Sequence, residues 1–535
     1  MKPSFLCHVH VVYAPDMYTA VKLHTMAISS MPELLISTLA VLVPFCLYMK
    51  SRRTKIFLHP MDWPVVGLLP SLIGNLHNLQ EYVTGVLAAS GGSFKAHGPQ
   101  ATSMRFFITC DPANIRHIFT TNHANYPKGE EFGEIFDIMS GSFFTVDGES
   151  CRRQRGRIQS ILSNPSMVAV MASCSREKVA KGLLAFLTRM ASTRTPFDLQ
   201  DLITRFVFDL TAMPIFGVDP GLLSPGDMPP VDAAAAMDTV MEVGLFRHAV
   251  PASCWKAMRR LNVGPERKLA TAHSVLHGFI TEMMERRKAS RADAVASVDI
   301  LSSYIDDPEY NDDRLLRATL INYMIAGRDT IGTTLPWFFF NLAKNPHVIA
   351  GIRKELAPIV SRKRAGFVSG DGTGEMVVFR PEETKPLVYL QAALLESLRL
   401  YPPGPIERKT VVDDDVMPSG HEVRSGDAVL ISLYALGRME TVWGKDCSEY
   451  RPERWISEDG TKLRYVPSHK FLAFNSGPRM CLGKDIAIMQ MKLIVAAVIW
   501  NFDVVVLEGQ SIEPKLSCIL QMKNGLRVMV NKRED

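Results

Sequence analysis

Apolar residues recur at three- and four-residue spacing over 176–194, 267–288, 312–345, 386–400 and 483–500. That period puts them on one face of a helix, so five long helices are predicted. Shorter β-branched runs, AVLISLYAL (428–436) and GLRVMVN (525–531), read as strands and come late in the chain. Long helices with a few late strands predict a mainly α fold with a smaller β-rich lobe. One apolar run has no polar face: LLISTLAVLVPFCLYM, Leu34 to Met49, carries no charge. As a helix it rises about 24 Å against a hydrocarbon core of about 30 Å. Extension back to Met26 adds length with Glu33 as the only charge.

The basic cluster Lys50, Arg52, Arg53 and Lys55 follows at once and belongs on the cytosolic side of a membrane. We therefore expect a single-span anchor at 31–49, with a buried helix or a signal peptide as alternatives. No small-residue cleavage site precedes the basic run, which disfavours cleavage. Residues 1–30 read as neither anchor nor domain, and Met26 or Met31 can serve as the start in place of Met1. Residues 50–70 are basic and then proline-rich (HPMDWPVVGLLP, 59–70), a stiff hinge by composition. The body is expected over 71–535, with no internal repeat and no second catalytic domain. SGDGTGE (369–375) lacks the strand–turn–helix context of a nucleotide loop and reads as a surface loop.

Charge changes this picture little. The 60 Lys and Arg against 55 Asp and Glu leave +5, with no arginine-rich face or aromatic–basic interleaving, so no nucleic acid is expected. Nine cysteines are scattered without a CxxC pair, which suggests neither a disulfide framework nor a zinc site.

One cysteine stands apart. In FNSGPRMCLGK (474–484), Cys481 lies beside Gly477 and Gly483, whose missing side chains permit tight turns and close approach of a flat group. The apolar helix that follows places Cys481 at a helix N-terminus, where a thiolate is favoured. Arg479 offers a fixed charge for a carboxylate, and Phe474 offers shielding. In YMIAGRDTIGTTLPW (323–337), Gly327 leaves room for small molecules, and Asp329 next to Thr330 can relay protons. The bland reading is a self-satisfied buried pair. Glu396 and Arg399 in LLESLRLYPP share a helix face with apolar flanks, and RPERW (451–455) supplies Arg454 as a further partner.

The frame F-x-x-G-x-R-x-C-x-G, complete here, resembles the haem-binding loop of the cytochrome P450 family. Phe474, Gly477, Arg479, Cys481 and Gly483 fill it. The resemblance implies a P450-like fold, haem b as cofactor and Cys481 as the axial iron ligand, whose thiolate promotes O–O cleavage. Residues 326–331 are similar to the family's oxygen-activation helix A-G-x-D-T-T, with Ile331 replacing its second threonine. The E-x-x-R and P-E-R segments match in order, implying a structural network of Glu396, Arg399 and Arg454 around the haem loop. VDGESCRRQRGRIQ (146–159) is similar to the helix carrying W-x-x-x-R. Arg155 takes the arginine place at a haem propionate and Cys151 stands where tryptophan is expected; a solvated basic face is the alternative.

The chain has no flavin or iron–sulfur module. The resemblance thus implies O2 and an NADPH–haemoprotein reductase as partners, with cytochrome b5 as a further donor and Lys484 as a candidate docking residue. It implies the endoplasmic reticulum membrane, with the catalytic domain cytosolic. AGRDT, PERWISEDG and the cysteine loop are most similar to the plant branch that hydroxylates long-chain fatty acids and alkanes. Oxidative phenol coupling in the same branch is the alternative. Candidate pocket segments are 133–144, the residues before Ala326, 404–409 and 516–520. Glu407 and Arg408 there can fix a carboxylate or hydroxyl, or form a surface pair. A haem-binding protein without monooxygenase turnover is the remaining class; the acid–alcohol pair favours oxygen activation over peroxide rearrangement.

Overall fold

The computed structural model describes residues 66–533 except 100–101, 103, 224–229, 292–297, 306 and 367–375. Its organising element is the helix Asp313–Lys344, capped by the Asp312 side chain, which accepts from the Arg314 N–H, and unbroken through Pro336. From 318 to 339 this helix is buried except at Ala326, Gly327 and Thr330. The helix Leu199–Phe216, itself almost wholly buried, makes its most extensive packing partner. A Cβ at Gly327 would stand 2.5 Å from Thr211 Cγ2 of that helix. The space expected at Gly327 for small molecules is thus used for helix–helix contact.

The helices foreseen from periodicity form at Gly264–Arg291, Asp313–Lys344, Val388–Leu400 and Lys484–Asn501. The stretch at 176–194 is instead compound: Pro165–Lys178 and Ala185–Thr193 are joined by a π-helical turn at Val179–Leu184. Further helices at Gly148–Leu162 and Asp232–Ala249 complete the frame near the site.

The β-rich part is smaller and not confined to the late chain. The hairpin Ser93–His97 and Arg105–Thr109 joins Ala428–Ser432 and Ile406–Thr410 in one four-stranded sheet. Arg105–Thr109 runs parallel to Ala428–Ser432 in the register Phe106 opposite Ala428. Residues 433–436, read with that strand, turn into a short helix. Arg527–Lys532 pairs with Phe502–Val506 and Phe197–Asp198 in a second sheet. The architecture is mainly α with a small β region.

The end of the expected hinge departs from its reading. The Leu68 N–H donates to the His97 carbonyl (2.8 Å), and a Cβ at Gly67 would lie 2.3 Å from the same oxygen. Residues 67–68 therefore belong to the body, and Pro70 opens the helix Leu69–Gly74, where its missing N–H costs nothing. Residues 1–65, with the expected extension, anchor and most of the hinge, lie outside the described residues, as does the loop 369–375. Among the described residues no helix is long and apolar enough to cross a membrane.

Candidate active site

The cysteine loop is built from the backbone outward. Gly477 adopts φ +58°, and a Cβ there would meet the Phe119 carbonyl oxygen at 2.1 Å, so only glycine fits. The close approach it permits is to the protein's own backbone. Gly483 has an ordinary φ of −91° and nothing within 4 Å of a Cβ, so no turn requires it; it is the N-cap of Lys484–Asn501. The Cys481 N–H donates to the Phe474 carbonyl (2.8 Å), closing the loop on itself.

Cys481 is exposed by surface area, yet burial is the dominant influence on its thiol and pushes its pKa up. The Gly483 N–H, Arg155 and Lys484 oppose the rise but do not reverse it. The helix start alone therefore does not make the thiolate. The accessible face of the central helix has the same character: Ala326 and Thr330 are exposed, four residues apart, in a stretch otherwise buried. Met324 and Ile325 share an apolar cluster with Leu482 and Ile486, which flank the cysteine side.

Asp329 and Thr330 are not brought together. Neighbours on a helix point to different faces. The Thr330 hydroxyl donates to the Ala326 carbonyl (2.9 Å) on the open face. Asp329 is buried and accepts from Arg328 Nη1 (2.7 Å), while its Oδ2 has no partner among the described residues. Arg328 also reaches Asp238 Oδ1 (2.5 Å), which accepts from Gln521 as well. Burial pushes the Asp329 carboxyl up to about 6; Arg328 opposes this, but Asp238 competes for that single cation. Arg328 stood in the quoted AGRDT and carried no expectation; its partner lies on another helix.

The Glu396 network forms as expected and is larger. Glu396 and Arg399 are fully buried and pair through Arg399 Nη2 to Oε1 and Nε to Oε2, both 2.7 Å. Oε1 also accepts from Arg454 Nε (2.9 Å) and the Arg451 N–H (2.9 Å), and Oε2 accepts from Trp455 Nε1 (2.8 Å). Arg399 satisfies the carbonyls of Gly437, Cys447 and Glu449. Trp455 links this network to the loop: its ring packs edge-on against Phe471 (4.6 Å), which meets Phe474 (6.3 Å).

The basic residues converge on the same loop. Arg155, half-buried beside buried Cys151, donates to the Met480 carbonyl, one residue before Cys481. Arg479 is held by the carbonyls of Phe143 and Val146 and by Asp147, which also accepts from the Lys128 and Gly129 N–H groups. Two lysines to which no role was assigned, Lys128 and the pocket-segment Lys409, are buried nearby. Lys128 and Lys409 ammonium groups lie 3.7 and 3.3 Å from one Glu407 oxygen. Burial pushes Lys128 down to about 7 despite Glu407. Glu407, whose burial alone would raise it, is drawn down to about 2 by Lys128 and Lys409. Lys484 is exposed, with its ammonium 5.5 Å from the Phe474 ring.

This donor set fits a flat, iron-bearing cofactor with carboxylates. Among the described residues no three His, Cys, Asp or Glu side chains group as metal ligands; Cys481 offers a single thiol. Two buried amines share a single carboxylate oxygen, and burial disfavours their charge; incoming carboxylates would restore it. Three of the four expected pocket segments meet: Phe136, Ile138 and Met139, then Leu320, Ile321, Met324 and Ile325, and Cys518 and Ile519 lie in one apolar cluster, to which 404–409 contributes no residue.

Comparison with known proteins agrees. The family model described as Cytochrome P450 matches residues 59–530. Noroxomaritidine synthase 2 from Narcissus aff. pseudonarcissus MK-2014 is 38% identical over 94% of this chain and 96% of its own length. Cytochrome P450 86B1 of Arabidopsis thaliana is 38% identical over 88% and 85%, respectively. Alkane hydroxylase MAH1 of Arabidopsis thaliana is 37% identical over 88% and 93%. A match spanning nearly the whole body, with these relatives, makes the chain a member of the cytochrome P450 family, monooxygenases that use haem.

Proposed function

We propose that this monooxygenase hydroxylates a long-chain, lipid-partitioning substrate, a fatty acid or alkane, using O2 and electrons from an NADPH–haemoprotein reductase. The carrying observation is the accessible Cys481 thiol, whose neighbours Leu482 and Ile486 pack into one apolar cluster with Met324 and Ile325 of the central helix. In this reading Cys481 would hold the haem iron through its sulfur, and the group when bound would supply O2 activation. Arg155, Arg479, Lys128 and Lys409 would hold the haem carboxylates, and Phe474 would shield the sulfur. Glu396, Arg399 and Arg454 hold the loop. Apolar walls orient the substrate and exclude water. The anchor at 31–49 would keep the enzyme on the endoplasmic reticulum membrane, catalytic domain cytosolic, with O2 and substrate arriving through lipid. Cytochrome b5 is a further donor in this reading, and the loop face near Lys484 the dock.

Asp329 is the proton donor we assign, and Thr330 the hydroxyl on the open face. A carboxyl near 6 is matched to proton transfer at neutral pH. Asp329→Asn is expected to slow turnover about a hundredfold and to remove a pH inflection near 6. Because the folded carboxyl is raised above its unfolded value, it favours the folded state fully below pH 3.8. That contribution is lost as pH rises through about 6. Urea denaturation across this range should lose its slope in the variant.

Phenol coupling is the second reading, favoured by the 94% coverage of the noroxomaritidine synthase match. Turnover with reductase on a fatty acid, the matched alkane and a phenolic amine decides between them. Hydroxylated aliphatic product dependent on NADPH is expected. Product formed without NADPH would overturn the monooxygenase reading of this site.

A further inference from the structure

The strand Ile406–Thr410 points Glu407 and Lys409 to one side and Arg408 to the other. Arg408 is 93% buried on a 7% exposed residue basis, so its guanidinium cannot be left to solvent. Its three nitrogens are used unequally. Nη1 contacts His248 Nδ1 (3.0 Å), Nη2 contacts Glu131 Oε2, and Nε has no partner among the described residues. His248 is held neutral, since burial and then Arg408 push it down to about 3; it remains an acceptor and offers no rival charge. Glu131 is different. Its side chain is 49% exposed, and it occupies only one corner of the Nε–Nη2 edge. That edge is the side-on fork that binds a carboxylate with two parallel bonds.

The setting on the other side is aromatic, with the Lys128 ammonium 4.0 Å over the Phe132 and Phe144 rings. The rings of Phe132 and Phe136 stand 6.1 and 5.8 Å from His248, and Phe136 packs against Phe144 at 5.6 Å. Phe132 and Phe136 belong to the cluster that contains Leu320, Ile321, Met324 and Ile325 of the central helix. A buried cation with an idle donor thus sits beside two phenylalanines of the apolar cluster, and its present counter-ion is half-exposed and can turn to water.

We infer that Arg408 is the head-group site for a substrate carboxylate, which displaces Glu131 and takes the Nε–Nη2 edge in two bonds. This rests on the proposed function and narrows it: the substrate is an acid with a long apolar tail. An alkane has no group to exchange with Glu131, and a protonated amine is repelled by Arg408. Glu131 then acts as a stand-in counter-ion that keeps the buried charge paired between turnovers.

The test is equilibrium dialysis of radiolabelled dodecanoic acid and dodecan-1-ol against the haem-loaded full chain. It reads binding without turnover, so failure of the monooxygenase reading is seen separately as a missing thiolate band. Arg408→Gln is expected to weaken the acid about tenfold or more, the effect of losing a charge-assisted bond, with the alcohol unchanged. Glu131→Gln, which removes the competitor from an exposed position, should tighten the acid severalfold and leave the alcohol alone. Equal binding of acid and alcohol by the unaltered protein would overturn the inference. So would equal losses for both ligands in Arg408→Gln, which mark a purely structural tether, or no tightening in Glu131→Gln.

Discussion

Glu396→Ala is expected to destabilise the body by about 3–5 kcal/mol and to strip the haem loop of its support. The reason is the number of groups that depend on one carboxylate. Glu396 accepts from Arg399, Arg454, Trp455 and the Arg451 backbone, and it is fully buried. Its removal leaves the buried Arg399 without its carboxylate, though the carbonyls of Gly437, Cys447 and Glu449 still accept from it. The loss reaches the cysteine through packing: Trp455 holds Phe471, Phe471 meets Phe474, and Phe474 accepts from the Cys481 N–H. Urea denaturation measures the stability term, and the reduced, CO-bound spectrum measures the fraction of haem on thiolate. Glu396→Gln keeps the shape and two acceptor lone pairs but no charge, so it should fall between. A full thiolate band in Glu396→Ala at unchanged stability would show that the network does not support the loop.

What could be read from sequence divides by distance along the chain. The Glu396–Arg399 pair is one helical turn apart, and the apolar flanks announced its burial before any contact was visible. Likewise Gly477 and Cys481 sit in one short frame whose turn needs a glycine. Lys128 and Lys409 were missed because neither is unusual locally; only the fold brings both to Glu407. The early hairpin at 93–109 was missed for the same reason, since its parallel partner Ala428–Ser432 lies far downstream. Gly327 was noticed for the wrong cause: its spacing on an apolar helix cannot say whether a ligand or Thr211 takes the room. Asp329 and Thr330 were joined because they are adjacent, although adjacency on a helix separates side chains, and the real partner, Arg328, was one residue the other way. Glu407 and Arg408 were split for the analogous reason on a strand.

Cys481→His is expected to keep haem in the protein while abolishing both the thiolate-type CO band and hydroxylation, down to the background without enzyme. The loop that carries the residue does not depend on its side chain. Its closing bond is the Cys481 backbone N–H to Phe474, and its turn is fixed by Gly477. The aromatic and ionic supports lie on Phe474, Trp455 and Glu396. Fold stability should therefore stay within about 1 kcal/mol, and imidazole is itself a competent haem ligand. The change isolates sulfur chemistry from haem retention, which Cys481→Ala alone would not. Burial pushes the thiol up, so deprotonation must be coupled to ligation, as it is when metals bind cysteine. Cys151→Ala and Cys518→Ala serve as controls, because both thiols are free and neither belongs to the loop. A thiolate band that survives in Cys481→His and disappears in either control would move the ligand to that cysteine and dismantle the site as assigned.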